Sequence, residues 1–398
     1  MQHEQTTQEQ SNQKRLIHIC CYGLLVSGAC SVSIGPLIPF LRESYGFHYG
    51  ISGMLLSALS FGNLITILLA GVLPAYLGRR KSIQLTGIWM IIGYLLLASG
   101  VSSPLLVMLA CLMIGLARGG NSTFSNTMMS TLPGDLATKG YNASHGSFAL
   151  GALLAPLLLL GVVGLFPEMG WRLLTVVMCV FSISHYVLLW RMPLPEEPPR
   201  GGAKQIDKTF LRDRRFWMGA AMLFFYISTE YAISGWLVTY FQDTGILDAR
   251  DSQLMSTLFW ATMFAGRMVG GQIVGKIEST KLLLIDGVGL VVCFTVMFLS
   301  RTPLVVTVSL AGVGLFMATI YPTAFAIGSR SIRGNDFGCS MMSFIGTVGG
   351  IVTPALVGLV ATSAGIYVGM GLVVCTVILL LLSIIFSVSS LKKDPTYQ

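Results

Sequence analysis

The feature that most constrains this chain is a series of long apolar stretches that follow one another almost without interruption. A membrane-spanning helix needs about 17–25 mainly apolar residues. Twelve such stretches can be read, at roughly 16–41, 50–77, 82–102, 104–131, 141–166, 172–190, 216–241, 252–275, 282–300, 303–329, 336–362 and 365–390. These runs are continuous, whereas strands of a membrane barrel would alternate over about ten residues. An all-α polytopic membrane protein with twelve transmembrane helices is therefore predicted.

The charged residues support this class and predict the orientation. Only 11% of the 398 residues are charged, against about 25% in soluble proteins. With the N-terminus inside, nineteen Lys and Arg residues lie on the cytoplasmic side, and four lie opposite, namely Arg42, Arg172, Arg250 and Arg301. The positive-inside rule then predicts a multi-pass protein of the cytoplasmic (inner) membrane with both termini in the cytoplasm. The formal net charge of +8 is explained by topology, so no nucleic-acid partner is expected.

A polar segment divides the chain into two halves. Residues 191–215, rich in Pro, Gly and charge, are typical of a cytoplasmic linker. The predicted regions are an N-terminal tail (1–15), a six-helix bundle (16–190), the linker (191–215), a second six-helix bundle (216–390) and a C-terminal tail (391–398). Gly151 and Pro156 recur as Gly349 and Pro354, one of several matches at nearly equal offsets. Such spacing is typical of a parallel duplication.

Two six-helix repeats joined by a cytoplasmic linker resemble the major facilitator superfamily. Residues 71–81, GVLPAYLGRRK, look like that superfamily's loop between helices two and three, although Ala75 and Tyr76 replace the usual Asp and Arg. The resemblance implies a cytoplasmic gate, in which Arg79 or Arg80 pairs with Asp135. The gate residues are Gly71, Gly78, Arg79, Arg80 and Asp135.

Several shorter stretches resemble the fucose–proton symporter-like group of that superfamily. They are YNASHGSF at 141–148, Glu230 followed by Gly235-Trp236, Gly266-Arg267, and Tyr321-Pro322. Members of that group are mostly sugar–cation symporters, so the resemblance implies transport of a sugar with a cation.

Three charges are predicted near mid-membrane, at Arg118, Glu230 and Arg267. A charge at that depth costs roughly 2.5–3.5 kcal/mol, so it usually marks an ion or substrate path. Burial favours the protonated form of a carboxyl group, and Glu230 is therefore the predicted proton-coupling residue. The alternative is a permanent ion pair between Glu230 and Arg267. Asp286, nearer a helix end, is expected to pair with Lys276 or Lys281.

Candidate substrate-binding residues surround these charges on the predicted helices. Arg118 favours an acidic solute or an internal acid, because a guanidinium binds carboxylates bidentately. The candidates are Arg118, Asn121, Ser122, Asn126, Tyr226, Trp236, Trp260, Arg267 and Tyr321. His145 is a possible proton relay, although a lone histidine in a membrane helix more often serves packing.

The function predicted from these observations is secondary active transport by alternating access. The solute is a sugar, sugar acid or other organic anion, moved in proton-coupled symport. The alternatives are a drug or metabolite efflux antiporter and a transporter-like sensor that translocates nothing. No phosphate-binding loop, zinc motif or nucleophile elbow occurs, so neither an enzyme nor a metal site is predicted. The expected partners are the solute and the lipid bilayer, for a monomer that needs no cofactor beyond a proton gradient or, alternatively, sodium.

Overall fold

The fold is built from helices. The computed structural model describes residues 2–70, 73–194, 209–273, 277–329, 332 and 336–391. Within them the helices are α1 (Gln2–Tyr45), α2 (Tyr49–Leu69), α3 (Leu73–Leu77), α4 (Arg79–Ala98), α5 (Pro104–Ser130), α6 (Gly134–Leu165), α7 (Gly170–Trp190), a 3₁₀ helix (Thr209–Arg212), α8 (Arg214–Asp243), α9 (Ala249–Ile273), α10 (Ser279–Leu299), α11 (Pro303–Met317), α12 (Ile320–Ser329) and α13 (Asp336–Leu391).

The apolar stretches of the sequence form these helices, and the predicted all-helical membrane fold is confirmed. In the described part of the chain, ten helical segments are long and apolar enough to cross a membrane. Two features make this number smaller than twelve. Helix α13 contains two of the predicted stretches, joined at Gly365, whose φ of 82° lies in the left-handed region that glycine tolerates. Helix α9 carries Arg267 and other polar residues and is not among the ten.

The ends of the predicted regions differ in how much the structure describes. Helix α1 begins at Gln2, so the described residues of the predicted tail 1–15 continue directly into the first span. In the linker, residues 195–208 lie outside the described part, as do residues 392–398 of the C-terminal tail. The described end of the linker leads into α8, where the Asp213 side chain accepts a hydrogen bond from the Arg215 amide at 2.8 Å. This is an N-cap, which fixes where α8 begins.

The chain forms two compact units, and their boundary differs from that of the predicted bundles. Unit 1 comprises Met1–Ile34 and Phe61–Ala203, and unit 2 comprises Gly35–Ser60 and Lys204–Gln398. Unit 2 therefore includes the end of α1 and the first half of α2. Glycines allow helices of unit 2 to pack closely on each other. A Cβ at Gly35 would lie 2.3 Å from the Ser234 carbonyl oxygen, and a Cβ at Gly53 would lie 2.8 Å from the Pro354 carbonyl oxygen.

The core of each unit is apolar. In unit 1 a buried cluster includes Leu16, Phe124, Met128 and Leu189. In unit 2, α8 packs mainly on α13 and also contacts α9 and α12. The buried side of α8 therefore faces three helices, and the polar residues on that side lie inside unit 2.

Candidate functional site

The most polar point of unit 2 is a cluster on α8 and α9. Tyr226 and Glu230 lie one turn apart on α8, and Glu230 is only 8% exposed. The Tyr226 hydroxyl interacts electrostatically with both Glu230 and Arg267, the latter on α9. Neither of these contacts has the full distance and angle of a hydrogen bond within the described residues. The cluster thus buries an acid, a guanidinium cation and a phenol hydroxyl together.

The two charges of this cluster do not form a close ion pair. Ion pairs within 4.0 Å that the structure describes are Arg42–Asp243 and Lys281–Glu278, and Glu230–Arg267 is not among them. The permanent ion pair considered as an alternative for Glu230 and Arg267 is therefore not formed here. Tyr226 instead links the two charges.

Tyr321 joins the cluster from the first turn of α12. Its ring centroid lies 5.6 Å from that of Tyr226, and the ring also stacks on Phe325 at 6.3 Å. Tyr321 interacts electrostatically with Glu230 and Arg267 as well. Four of the predicted site residues, Tyr226, Glu230, Arg267 and Tyr321, are thus brought together within unit 2.

The two tryptophans of the prediction are buried in unit 2. The Trp236 indole N–H donates to the Pro354 carbonyl at 3.1 Å, which ties α8 to α13. This bond already uses the polar edge of the ring. Trp260 on α9 is fully buried and packs edge-on against Phe259 at 5.5 Å. Their roles in substrate binding stay predictions.

In unit 1, the predicted polar residues lie along α5. The Asn121 side-chain oxygen accepts a hydrogen bond from Thr86 at 2.9 Å, while its amide nitrogen is buried without a partner among the described residues. The Arg118 guanidinium lies over the Phe148 ring, 5.3 Å from the centroid. Ser122 and Asn126 are half-buried. Asn121 is thus partly satisfied by the protein and partly available to a ligand or water.

A small cavity opens beside Asn121. It is lined by Cys20, Asn121, Ser125 and His185 together with apolar side chains. His185, buried on α7, was not among the predicted site residues. The available signal was a single histidine in an otherwise apolar span. His145, the predicted relay, is exposed on α6, and its role stays a prediction.

The predicted cytoplasmic gate is described only in part. Gly78 joins α3 to α4 with a φ of 78°, a conformation that favours glycine. Arg80 donates to the carbonyls of Trp190 (3.0 Å) and Met192 (3.1 Å) and so caps the end of α7. Gly71 and the Asp135 side chain lie outside the described residues, and Arg79 is half-buried. Pairing of an arginine with Asp135 stays a prediction.

Sequence reasoning missed a charged cluster at the end of α1 in unit 2. Arg42 forms an ion pair with Asp243, and Tyr49 donates to the same carboxylate at 2.8 Å. The Arg42 guanidinium lies 3.9 Å from the centroid of the Tyr49 ring. The pairing could not be predicted, because Asp243 lies 201 residues further along the chain.

A family model for the Major Facilitator Superfamily matches residues 20–354. The chain belongs to this superfamily. Among its relatives, a putative glucose/galactose transporter of Helicobacter pylori (strain J99) is 25% identical over 183 residues, which cover 46% of this chain and 45% of that protein. The match thus spans about half the length of the relative.

Solved structures share the fold. The structure of a D-xylose–proton symporter has a TM-score of 0.77 at 14% identity, covering 94% of this chain and 97% of that one. The Escherichia coli fucose:proton symporter has a TM-score of 0.65 at 18% identity, covering 93% and 98%. At these identities the likeness concerns the fold alone. The named relative and both solved structures are transporters and not enzymes, in agreement with the prediction for this superfamily member.

Proposed function

We propose that this superfamily member is a secondary transporter that imports a sugar or sugar acid together with a proton, by alternating access in the inner membrane. The observation that supports the proposal is the buried cluster of Glu230, Arg267 and the Tyr226 hydroxyl, whose contacts with the two charges lack full hydrogen-bond geometry in the described part of the chain. A buried polar group of this kind is costly unless a ligand or water satisfies it.

The chemistry of the cluster suits a polyhydroxylated solute. Sugar hydroxyls both donate and accept hydrogen bonds, so they complement a phenol, a carboxylate and a guanidinium together. The Tyr226 and Tyr321 rings add flat apolar surface of the kind on which sugar faces pack. Arg267 also suits the carboxylate of a sugar acid, which a guanidinium binds bidentately. The names of the similar transporters, which include glucose/galactose, D-xylose and fucose, support a sugar.

Glu230 carries the proton in this proposal. While Glu230 is ionised, its charge competes with the substrate for Tyr226 and Arg267. When Glu230 is protonated, its charge disappears and both groups become free to hold substrate. Proton binding and substrate binding then favour each other, which is the thermodynamic basis of symport.

The proposed topology has twelve spans with both termini in the cytoplasm. Counting α13 as two spans at Gly365 and including α9 adds two to the ten apolar segments. The fold shared with solved symporters supports this count, and the distribution of basic residues supports the orientation.

Uptake into liposomes tests the proposal. With an imposed pH gradient, wild type should accumulate one member of a panel of labelled hexoses, pentoses and hexuronic acids. Glu230→Gln, which mimics the protonated acid, should lose accumulation but retain exchange of labelled for unlabelled substrate. Glu168→Gln, the same change at an exposed loop position, should behave as wild type.

The other outcomes contradict the proposal in different ways. Accumulation by Glu230→Gln equal to wild type removes the proton role. Accumulation driven by a sodium gradient without a pH gradient replaces the proton by sodium. Uptake of hydrophobic cations instead of sugars favours the efflux antiporter, and binding without any exchange favours the sensor.

A further inference from the structure

A break between two helices of unit 2 lies against a buried acid on a third helix. Helix α11 ends at Met317 and α12 begins at Ile320, and the Ala318 amide donates to the carbonyl three residues back at 3.2 Å. Thr319 lies in this break and donates its hydroxyl to a carboxylate oxygen of Asp286. Asp286 lies on α10, seven residues after Ser279, or about 10 Å along the helix. Both side chains are buried, with Asp286 6% exposed and Thr319 8%.

Asp286 is not neutralised by the lysine expected to pair with it. Lys281 forms its ion pair with Glu278 at 3.7 Å instead, because Glu278 lies one turn away at the same exposed helix end. The side chain of Lys276, the other predicted partner, lies outside the described residues. In the described part of the chain, the polar partner of Asp286 is the Thr319 hydroxyl.

The helices packed against α10 place no charge beside Asp286 in the described residues. Helix α11 contains no titratable side chain. On α12 the titratable residue is Tyr321, whose ring contacts Tyr226 and Phe325. The part of α13 that packs on Gly287, the neighbour of Asp286, is around Leu381 and Ile384 and is apolar. A carboxylate buried without a cation is costly, and such a group is neutralised by taking up a proton.

Thr319 is held between α9 and α10. A Cβ at Gly270 would lie 2.3 Å from the Thr319 methyl carbon, and one at Gly266 would lie 2.6 Å from the Ala318 Cβ. The two glycines of α9 therefore allow that helix to contact the break closely. Arg267 directly follows Gly266, so the helix that contacts the break also carries a charge of the candidate substrate site.

We propose that Asp286 is a second proton-binding site, and that its protonation state sets the position of α12. As a carboxylate, Asp286 accepts the Thr319 hydroxyl and stabilises the positive end of α12. A proton added to one carboxyl oxygen makes that oxygen a donor and removes the negative charge. The neutral acid then holds Thr319 and the first turn of α12 less strongly. In other transporter folds the positive N-terminal ends of discontinuous membrane helices likewise face anionic groups.

The movement of α12 reaches the candidate substrate site through Tyr321. This residue lies two positions after Thr319, and its ring contacts Tyr226. A shift of the first turn of α12 therefore changes the surroundings of Tyr226. The proton site at Asp286 is argued from the burial of Asp286 and its contact with Thr319, and it does not require Glu230 to carry a proton.

Infrared spectroscopy of the full chain in lipid, titrated with acid alone, tests the site. A protonated carboxylic acid gives a carbonyl band that a carboxylate does not. We expect a titrating band in wild type that is lost in Asp286→Asn and kept in Asp286→Glu and Glu230→Gln. Wild-type and Asp286→Asn titrations that superimpose would overturn the proposal. Loss of a band only in Glu230→Gln would also overturn it, while leaving the proposed function intact.

A matched threonine pair tests the role of the break without altering any charge. Thr319→Val removes the hydroxyl that Asp286 accepts, whereas Thr307→Val removes one that donates to the Pro303 carbonyl of its own helix at 2.8 Å. We expect Thr319→Val to move the midpoint of the Asp286 band and Thr307→Val to leave it unchanged. Acid should also lower the protection of the α12 amides, measured relative to their intrinsic exchange rate at each pH, in wild type but not in Asp286→Asn. Equal midpoints, or equal exchange in these two proteins, would contradict the proposal.

Discussion

At the scale of single residues, the hydrogen bonding of a buried tyrosine hydroxyl distinguishes a packing residue from a candidate binding residue such as Tyr226. Most buried tyrosine hydroxyls are hydrogen-bonded by the protein itself. Tyr94 in unit 1 follows this rule, since its hydroxyl bonds with the Ser33 hydroxyl at 2.8 Å and donates to the Cys30 carbonyl at 2.5 Å. The Tyr226 hydroxyl interacts with Glu230 and Arg267, but neither contact within the described residues has full hydrogen-bond geometry. The same chemical change at the two positions should therefore have opposite consequences.

Tyr226→Phe should weaken transport without weakening the fold. Loss of a hydrogen bond to substrate should raise the KM for uptake roughly tenfold, about 1.4 kcal/mol. The free energy of unfolding should change by less than about 0.5 kcal/mol. Tyr94→Phe should lower stability by about 1–3 kcal/mol and leave KM unchanged. Thermal unfolding and uptake measured on both variants check this, and a large loss of stability in Tyr226→Phe would contradict a role of this hydroxyl in substrate binding.

At the scale of elements, glycines determine where helices approach. Gly270→Ala should destabilise unit 2 by about 1–3 kcal/mol, because the added Cβ would lie 2.3 Å from Thr319. Gly161→Ala on α6 meets no atom within 4 Å and should raise stability by up to about 1 kcal/mol. The midpoints of thermal unfolding in one detergent compare the two. Equal midpoints would show that α9 does not hold the break closely.

The ion pair Arg42–Asp243 should stabilise unit 2 more than an ordinary surface pair. Its side chains are 22% and 26% exposed, against 69% and 47% for Lys281 and Glu278. A double-mutant cycle with Arg42→Gln and Asp243→Asn should give a coupling of about 1 kcal/mol. The same cycle at Lys281 and Glu278 should give less than about 0.5 kcal/mol. Equal couplings would show that burial does not strengthen the first pair.

The sequence predicts the helices well because apolar length alone determines a membrane span. It also indicates Glu230 and Arg267, since charges inside apolar runs are visible without a structure. The break at Thr319 is harder to predict, because Pro322 is a weak signal and the contact with Asp286 depends on tertiary packing. Trp236 shows the same difficulty, because its bond to the Pro354 carbonyl links positions 118 residues apart. The ion pair between Arg42 and Asp243 could not be predicted either, because the two residues are far apart along the chain.

At the scale of the whole molecule, the proposed topology has a direct test. Glu168 and Arg301 are exposed positions between helices, and the exposed Arg212 is the last residue of the 3₁₀ helix before α8. The proposed topology puts Glu168 and Arg301 outside and Arg212 in the cytoplasm. In cysteine-depleted protein, Glu168→Cys and Arg301→Cys should react with an impermeant maleimide from outside intact cells. Arg212→Cys should react only after permeabilisation. The reverse pattern would invert the orientation, and a difference between Glu168→Cys and Arg301→Cys would contradict the number of spans.

The central claim is that substrate and proton enter together and that Glu230 carries the proton. The most direct measurement records the pH inside liposomes with a trapped dye after a substrate gradient is applied without a pH gradient. Wild type should acidify the lumen when the sugar or sugar acid identified by uptake is added outside, and Glu230→Gln should not, although it still exchanges substrate. Equal acidification by Glu230→Gln and wild type would contradict the account.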